Sequence, residues 1–483
     1  MKKKSGRFAP KPGIRSLASA SASRSGLGVR QAAIAALLES SETAKFIDET
    51  LAPRLAGIDS RDRRLLHEIG YGALRHINTL DRLINFHVRL PVDRQLPAVA
   101  WALRVGAYQL VYLSRVPDHA AVNQTVEALK SFDTVDAKAP GFVNAVLHKL
   151  AKCVRRKSQE DPVDRDDPTV IPIRDGYCHF DRPVLELIRL DRAAHFSLKY
   201  SMPVWIVSRW LERFGEEETR RLCEAQNRTP VVTARVTRNA PSRDAALEAL
   251  KSEGLEAAPG ELESSILFTE AGGLDGSQTL AKGWIQMQDE TAIRIGTAMI
   301  APSGARVLDL CAAPGGKALQ LLEQVGETGH VTAADISEER LKLVRCNLAR
   351  IASNFTTVVV PEAPGDIDLG TKFTHVLVDA PCSNSGVFAR RPEARWRVSA
   401  SDLRSLAELQ SKLLEAGLRH LAPGGRIIYA TCSIEPEENE NVIAKAFARH
   451  AGLIERDTKL FLPHRVSADG GFYSHLSGDR LLS

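Results

Sequence analysis

From about residue 285 onward, short apolar runs alternate with helix-length amphipathic segments, and this constrains the fold more than any other feature. The strand-like runs are residues 306–310, 330–334, 356–360, 375–378 and 426–431, with helices predicted between them at 318–325, 338–352 and 402–421. Parallel strands cannot be joined by a tight hairpin. Each needs a crossover, usually a helix, and those helices cover the sheet faces. The alternation therefore predicts an α/β unit with a parallel sheet wound on both faces. Ligands of such sheets lie beyond the carboxyl ends of the strands. The residues that end these strands are thus where chemistry is expected.

The first strand ends in Asp309-Leu310 and turns through Cys311-Ala312-Ala313-Pro314-Gly315-Gly316-Lys317. Glycines there allow positive φ and close approach of backbone to ligand. The spacing is not the Gly-x-Gly-x-x-Gly of dinucleotide enzymes. It is not a Walker A loop either, because Lys317 is followed by Ala318 and the first glycine is missing. Asp335 ends the second strand, nineteen positions after Gly316. A carboxylate there suits the two hydroxyls of a ribose, or it caps the following helix. With no phosphate-cradling pattern beside it, a nucleoside without phosphates fits best, and S-adenosylmethionine is that ligand.

Two cysteines end later strands, in Asp379-Ala380-Pro381-Cys382-Ser383 and Tyr429-Ala430-Thr431-Cys432-Ser433. Carbon 5 of a pyrimidine is a poor nucleophile. A thiolate adding at carbon 6 makes the ring enamine-like, so that carbon 5 can attack an electrophilic methyl group. That chemistry needs a reactive thiolate and a base withdrawn from its stack. Either cysteine could attack, and local position favours Cys382. Asp379 could bond the base edge or the charged end of the cofactor. Cys311 reads as cofactor lining; Cys153, Cys178, Cys223 and Cys346 read as inert. No Cys-x-x-Cys occurs among the seven cysteines, so no zinc ribbon or redox pair, and no metal site, is expected.

The rest of the chain divides by composition. Residues 28–153 show apolar spacings of three and four, punctuated by Pro91, Pro97 and Pro117, and predict a helical bundle. Residues 154–195, with Arg155-Arg156-Lys157 followed by acids and prolines, read as a polar linker or surface insertion. Residues 196–284 mix helix and strand signals and predict a small α+β subdomain. Residues 285–483 form the α/β unit. At the other end, residues 1–27 read as a disordered basic arm. Counted to Arg30, that stretch holds Lys2, Lys3, Lys4, Arg7, Lys11, Arg15, Arg24 and Arg30 with no acid. Such an arm can attract RNA phosphates, act as a solubilising tail, or serve as an organellar transit peptide. No run approaches a membrane span, and scattered thiols fit a reducing, cytoplasmic setting.

The motifs resemble a known family, the RNA 5-methylcytosine methyltransferases of the Sun/Fmu type. The resemblance rests on Cys311–Lys317, on Asp379-Ala380-Pro381-Cys382-Ser383 and on Thr431-Cys432-Ser433-Ile434-Glu435-Pro436-Glu437-Glu438-Asn439. It extends to Tyr71-Gly72-Ala73-Leu74-Arg75, Leu103–Leu110, Pro117–Val122 and Gly141–Leu147, which resemble the RNA-binding NusB-type domain of the branch acting on small-subunit ribosomal RNA. It implies an all-α NusB-like bundle, then a small α+β subdomain and a Rossmann-like methyltransferase domain. It also implies S-adenosyl-L-methionine as cofactor, RNA as partner, and methylation of cytosine carbon 5. By this resemblance Cys432 is the nucleophile and Cys382 assists breakdown of the covalent adduct. Cofactor contacts carry over to Cys311, Ala312, Ala313, Pro314, Gly315, Gly316, Lys317, Asp335 and Asp379. We expect a monomer with no membrane association.

Three departures stand out. Asn384 and Ser385 replace a small residue and Thr. Ala389-Arg390-Arg391-Pro392-Glu393 replaces an Arg-Arg-His-Pro-Asp run. The third cofactor carboxylate has no clean match, with Glu362 nearest and Asp366 following. Transfer RNA as substrate, or a non-catalytic assembly role, are the competing readings; Pro-Cys-Ser rather than Pro-Cys-Gln argues against DNA.

Overall fold

A computed structural model describes residues 27–269 and 272–478. It divides into two compact units. The first runs to Arg228 and includes Phe388–Arg397; the second holds Thr229–Val387 and the chain from Val398. The basic arm lies outside the described residues, apart from Leu27 at its edge.

The first unit is built on helices Leu27–Thr43, Ile47–Leu51, Ser60–Arg75, Ile77–Asn85, Pro97–Tyr112, Asp118–Leu129 and Ala139–Cys153, joined later by Arg192–Lys199 and Val204–Asn227. Every residue from Ala98 to Tyr112 is buried, so this helix is the axis around which the others pack. Pro97 opens it at a position where the missing N–H costs nothing. Its one cation is matched: Arg104 donates to both oxygens of Asp81 at 2.7 and 3.0 Å. Asp59 caps the Ser60 helix by accepting from the Asp62 amide. Arg30, counted above with the basic arm, instead lies buried in the first helix and donates to Gln109 Oε1 at 3.0 Å.

The stretch read as a polar linker carries three strands, β1 (Val154–Ser158), β2 (Val170–Ile173) and β3 (Gly176–Phe180). They form an antiparallel sheet in the order β1-β3-β2. The acids occupy the loop between β1 and β2, whereas Ile171, Cys178 and Phe180 join the helical core. Averaging over the loop hid a short two-residue alternation.

Phe388–Arg397 belongs to this unit through polar anchors. Arg395 is fully buried, and its guanidinium donates to the carbonyls of Ser201, Gln226 and Phe388 and to Asn227 Oδ1, at 2.9–3.1 Å. Arg391 pairs with Asp48 at 2.9 Å, and Glu393 Oε1 accepts from the Ile47 amide at 2.8 Å. This departure from the family pattern is therefore occupied in packing.

The second unit opens with β4 (Val232–Val236), β5 (Ala257–Pro259), β6 (Ser265–Phe268) and β7 (Ile285–Met287), an antiparallel sheet ordered β5-β6-β4-β7. The remaining strands are β8 (Arg306–Asp309), β9 (His330–Asp335), β10 (Phe355–Val359), β11 (Phe373–Asp379), β12 (Leu421–Thr431), β13 (Leu453–Phe461) and β14 (Gly471–Gly478). Their order is β10-β9-β8-β11-β12-β14-β13. The first five are parallel, as expected. β14 and β13 extend the sheet antiparallel, which the sequence reading missed because Gly471–Gly478 mixes Gly, Ser and His with its apolar residues. Apolar cores cover both faces, one around Val307, Leu321 and Leu377, the other around Leu308, Val376 and Leu414. Chain order reverses between β8 and β11, the switch point where a crevice opens.

Candidate active site

The strands around that switch point end in Asp309, Asp335, Asp379 and Thr431. The turn after β8 passes through Gly315 at φ 104°, a left-handed conformation, and a Cβ there would lie 3.1 Å from Val344 Cα. Only glycine fits without strain. The turn is tied to the next strand: the Ala312 amide donates to Ala334 O at 2.9 Å, and the Ala313 amide to Asp335 Oδ2 at 3.3 Å. Asp335 is buried, and its Oδ1 lies 3.3 Å from Arg340 Nη1. Lys317 donates to Asp379 Oδ2 at 2.7 Å. Burial lowers the Lys317 ammonium, but the Asp379 charge and hydrogen bond outweigh it and the net direction is up.

Asp309 is fully buried and its Oδ1 has no hydrogen-bond partner among the described residues. Burial first, then the charges of Asp379 and Asp335, push its carboxyl up to about 8. A half-open turn ringed by acids suits a cationic nucleoside ligand, and an orphaned carboxyl oxygen asks for a donor. The residues present thus fit S-adenosylmethionine. Cys311 is partly buried, and burial followed by Asp309 raises its thiol far above the ordinary range, so it is a poor nucleophile. Glu362 and Asp366 are both exposed beyond β10, and among the described residues neither side chain hydrogen-bonds to the pocket. The Val360 amide does donate to Asp335 O at 3.0 Å, so their loop starts beside the site.

At the ends of β11 and β12 the structure brings Cys382 and Cys432 together, with Sγ atoms 3.0 Å apart and both thiols free. The register explains this: Asp379 pairs with Ala430 across neighbouring parallel strands, so both loops leave the sheet side by side. The Cys432 thiol donates to Asn384 Oδ1 at 3.2 Å, and Asn384 Nδ2 donates to Cys382 O at 3.1 Å. Asn384 has φ 62°, a conformation that Asn tolerates better than most residues. Its amide orientation is set by the Cys382 carbonyl, which needs a donor. The Cys382 thiol is raised well above its ordinary value, first by its hydrogen bond with Cys432, then by burial and the Cys432 charge.

Sequence reasoning noted Asn384 only as a departure and gave Glu438 no role. Glu438 is fully buried beneath both thiol loops. A charged residue inside the run that follows a catalytic strand end is the signal that could have pointed to it.

Comparison with known proteins identifies the family. Residues 297–477 match the model of the 16S rRNA methyltransferase RsmB/F family, residues 28–152 the NusB family, and residues 202–274 the ferredoxin-like domain of RsmF/B-like methyltransferases. The chain is 31% identical over 462 residues to ribosomal RNA small subunit methyltransferase B of Klebsiella pneumoniae, covering 93% of this chain and 98% of that one. It is 33% identical over 438 residues to the protein of the same name from Yersinia enterocolitica, covering 88% and 93%. In fold it is similar to PH0851, with a TM-score of 0.75 at 23% identity, covering 94% of this chain and 99% of that one. A methyltransferase homolog from Pyrococcus horikoshii matches with a TM-score of 0.53 at 24% identity, over 60% and 99%. The chain belongs to the RsmB/F family of 16S rRNA methyltransferases. It is an S-adenosylmethionine-dependent RNA methyltransferase with a NusB-type helical domain ahead of its Rossmann-like one. Among the described residues, no helix is long and apolar enough to cross a membrane.

Proposed function

We propose that this protein methylates carbon 5 of a cytosine in small-subunit ribosomal RNA through a covalent bond between Cys432 and carbon 6. The observation that carries this reading is the pair of thiols 3.0 Å apart at neighbouring strand ends, beside an acid-lined turn. Cys311–Lys317, Asp335 and Asp379 are the proposed cofactor contacts, with the third carboxylate assigned to Glu362. The cofactor supplies a methyl group on a positively charged sulfur, an electrophile that an ordinary cytosine carbon 5 is too weak to attack.

The thiol pair divides the work. The raised Cys382 keeps its proton and can donate it as a hydrogen bond to the Cys432 sulfur, while the Cys432 proton faces Asn384 Oδ1 and passes to solvent as Cys432 attacks. The Cys432 Sγ–carbon 6 bond forms and the ring electrons move to carbon 5, which could then take the methyl group that the bound cofactor would supply, its sulfur leaving as a neutral thioether. Once Cys432 is bonded to carbon, its charge and its hydrogen bond to Cys382 are gone. Those are two of the causes that hold the Cys382 proton. Cys382 then gives up its proton to solvent more readily; its thiolate can accept the carbon-5 proton, and the electrons left behind re-form the carbon 5–carbon 6 double bond and expel the Cys432 thiolate. Bond formation at one sulfur thereby prepares the other for release.

The test is transfer of labelled methyl to isolated small-subunit RNA, with the modified base mapped. Cys432→Ala should abolish transfer while cofactor binding persists. Cys382→Ala should leave RNA attached to protein in an SDS-resistant adduct. Wild-type turnover by Cys432→Ala would remove the nucleophile assignment.

A further inference from the structure

Each thiol is followed by a serine, Ser383 after Cys382 and Ser433 after Cys432, and both serines are fully buried. One side chain binds both. Glu438 Oε2 accepts from Ser383 Oγ at 2.5 Å and from Ser433 Oγ. Glu438 Oε1 accepts from the Ser383 amide at 2.8 Å and from Gln410 Nε2 at 3.0 Å. Gln410, on the helix Ala400–Arg419, also donates to Pro381 O at 2.9 Å, so the loop before Cys382 is held as well. The Glu438 backbone is anchored too, since Tyr429 of β12 donates to its carbonyl at 2.5 Å.

A buried carboxylate needs several donors to replace water. Here three of these four donors belong to the residues next to the thiols. Among the described residues no hydrogen bond joins either thiol to Glu438; its charge helps raise the Cys382 thiol, but its hold on the loops runs through Ser383, Ser433 and Gln410. We propose that Glu438 is a positioning residue that straps the two thiol loops together and sets the separation of Cys382 and Cys432. The inference rests on the reading that both thiols serve one reaction. The strap explains how two half-buried sulfurs on separate loops stay within reach as the bond to carbon 6 forms and breaks. The family resemblance assigns roles to the cysteines; this assigns one to the residue that holds them.

The hydrogen-bond pattern predicts how substitutions differ. In Glu438→Gln the remaining oxygen can face the two N–H donors, and the new amide can donate to the two hydroxyls, which accept as well as donate. In Glu438→Ala the Ser383 amide loses its acceptor, and the two hydroxyls and Gln410 keep only their other contacts. Phenylarsine oxide reads the thiol separation directly: two close thiols each form an arsenic–sulfur bond and one water leaves, with arsenic unchanged in oxidation state. Applied to the full chain, with Cys382→Ser as the control that removes the pair, wild type should take up one arsenical across Cys382 and Cys432. Glu438→Gln should capture at a comparable rate, and Glu438→Ala at least about tenfold more slowly, with cofactor binding unchanged. Should Glu438→Ala not fold, Ser433→Ala removes one strap and should slow capture severalfold. In turnover, the slowed variants should also retain more RNA as covalent adduct. Wild-type capture by Glu438→Ala overturns the inference, as does capture by Glu438→Gln as slow as by Glu438→Ala. Because capture uses neither RNA nor cofactor, the expected pattern without any cytosine methylation overturns the proposed function and leaves the strap standing.

Discussion

Asp309→Asn tests the electrostatics of the cofactor turn. Asp309 ends β8, is 1% exposed, and leaves Oδ1 without a partner. Burial, reinforced by Asp379 and Asp335, lifts its carboxyl from the ordinary 3.8 to about 8. Between those values the native state holds a proton that the unfolded chain releases. The stability tied to this group is therefore fully present below pH 3.8 and is lost as pH rises through about 8. One proton's difference changes stability by about 1.4 kcal/mol per pH unit. From pH 5 to pH 7 wild type should lose about 2.5 kcal/mol relative to Asp309→Asn, which has no proton to release at that position. Hydrogen exchange of peptides spanning β8 and β9 along a urea series, at pH 5, 6 and 7 without cofactor, reports the stability of this unit. The wild-type and variant curves should separate as pH rises, with the variant the more stable at pH 7. Parallel curves would show that Asp309 is ionised in the folded protein and would refute the argument. The cost borne at neutral pH is of the kind that binding sites impose on their folds.

Asp335→Ala should weaken S-adenosylmethionine binding roughly tenfold or more, as loss of a buried charged partner does; isothermal titration measures it, and unchanged affinity would remove Asp335 from the proposed contacts. Arg395→Met should lower the stability of the first unit by roughly 3 kcal/mol, because the carbonyls it serves lose their donor inside a closed core; thermal unfolding reads this, and an unchanged midpoint would show that the anchor contributes nothing. Gly315→Ala should destabilise the β8 turn by about 1–3 kcal/mol, since φ is 104° and the added methyl meets Val344; the same exchange series would detect it.

Much of this protein was legible in one dimension. The alternation of strand and helix from residue 285 predicts the parallel part of the large sheet, because crossover connections leave a regular trace in hydropathy. The prolines mark helix starts at Pro97 and after Pro117. The strand-end residues Asp309, Asp335 and Asp379 could be placed at one crevice because sheet topology decides which ends converge.

What required tertiary structure was the pairing of elements far apart in the chain. The parallel register of β11 and β12 places two cysteines fifty positions apart within 3.0 Å, and only that proximity couples their protons. Arg391 and Glu393 read only as departures from the family pattern until their partners on the Ile47–Leu51 helix are seen. Glu438 sits five residues beyond Ser433, yet its meaning comes from Ser383 on another loop. Local pattern is set by backbone periods that neighbours in the chain share. Burial and hydrogen bonding depend on which surfaces meet, and that is settled only when the strands are laid side by side.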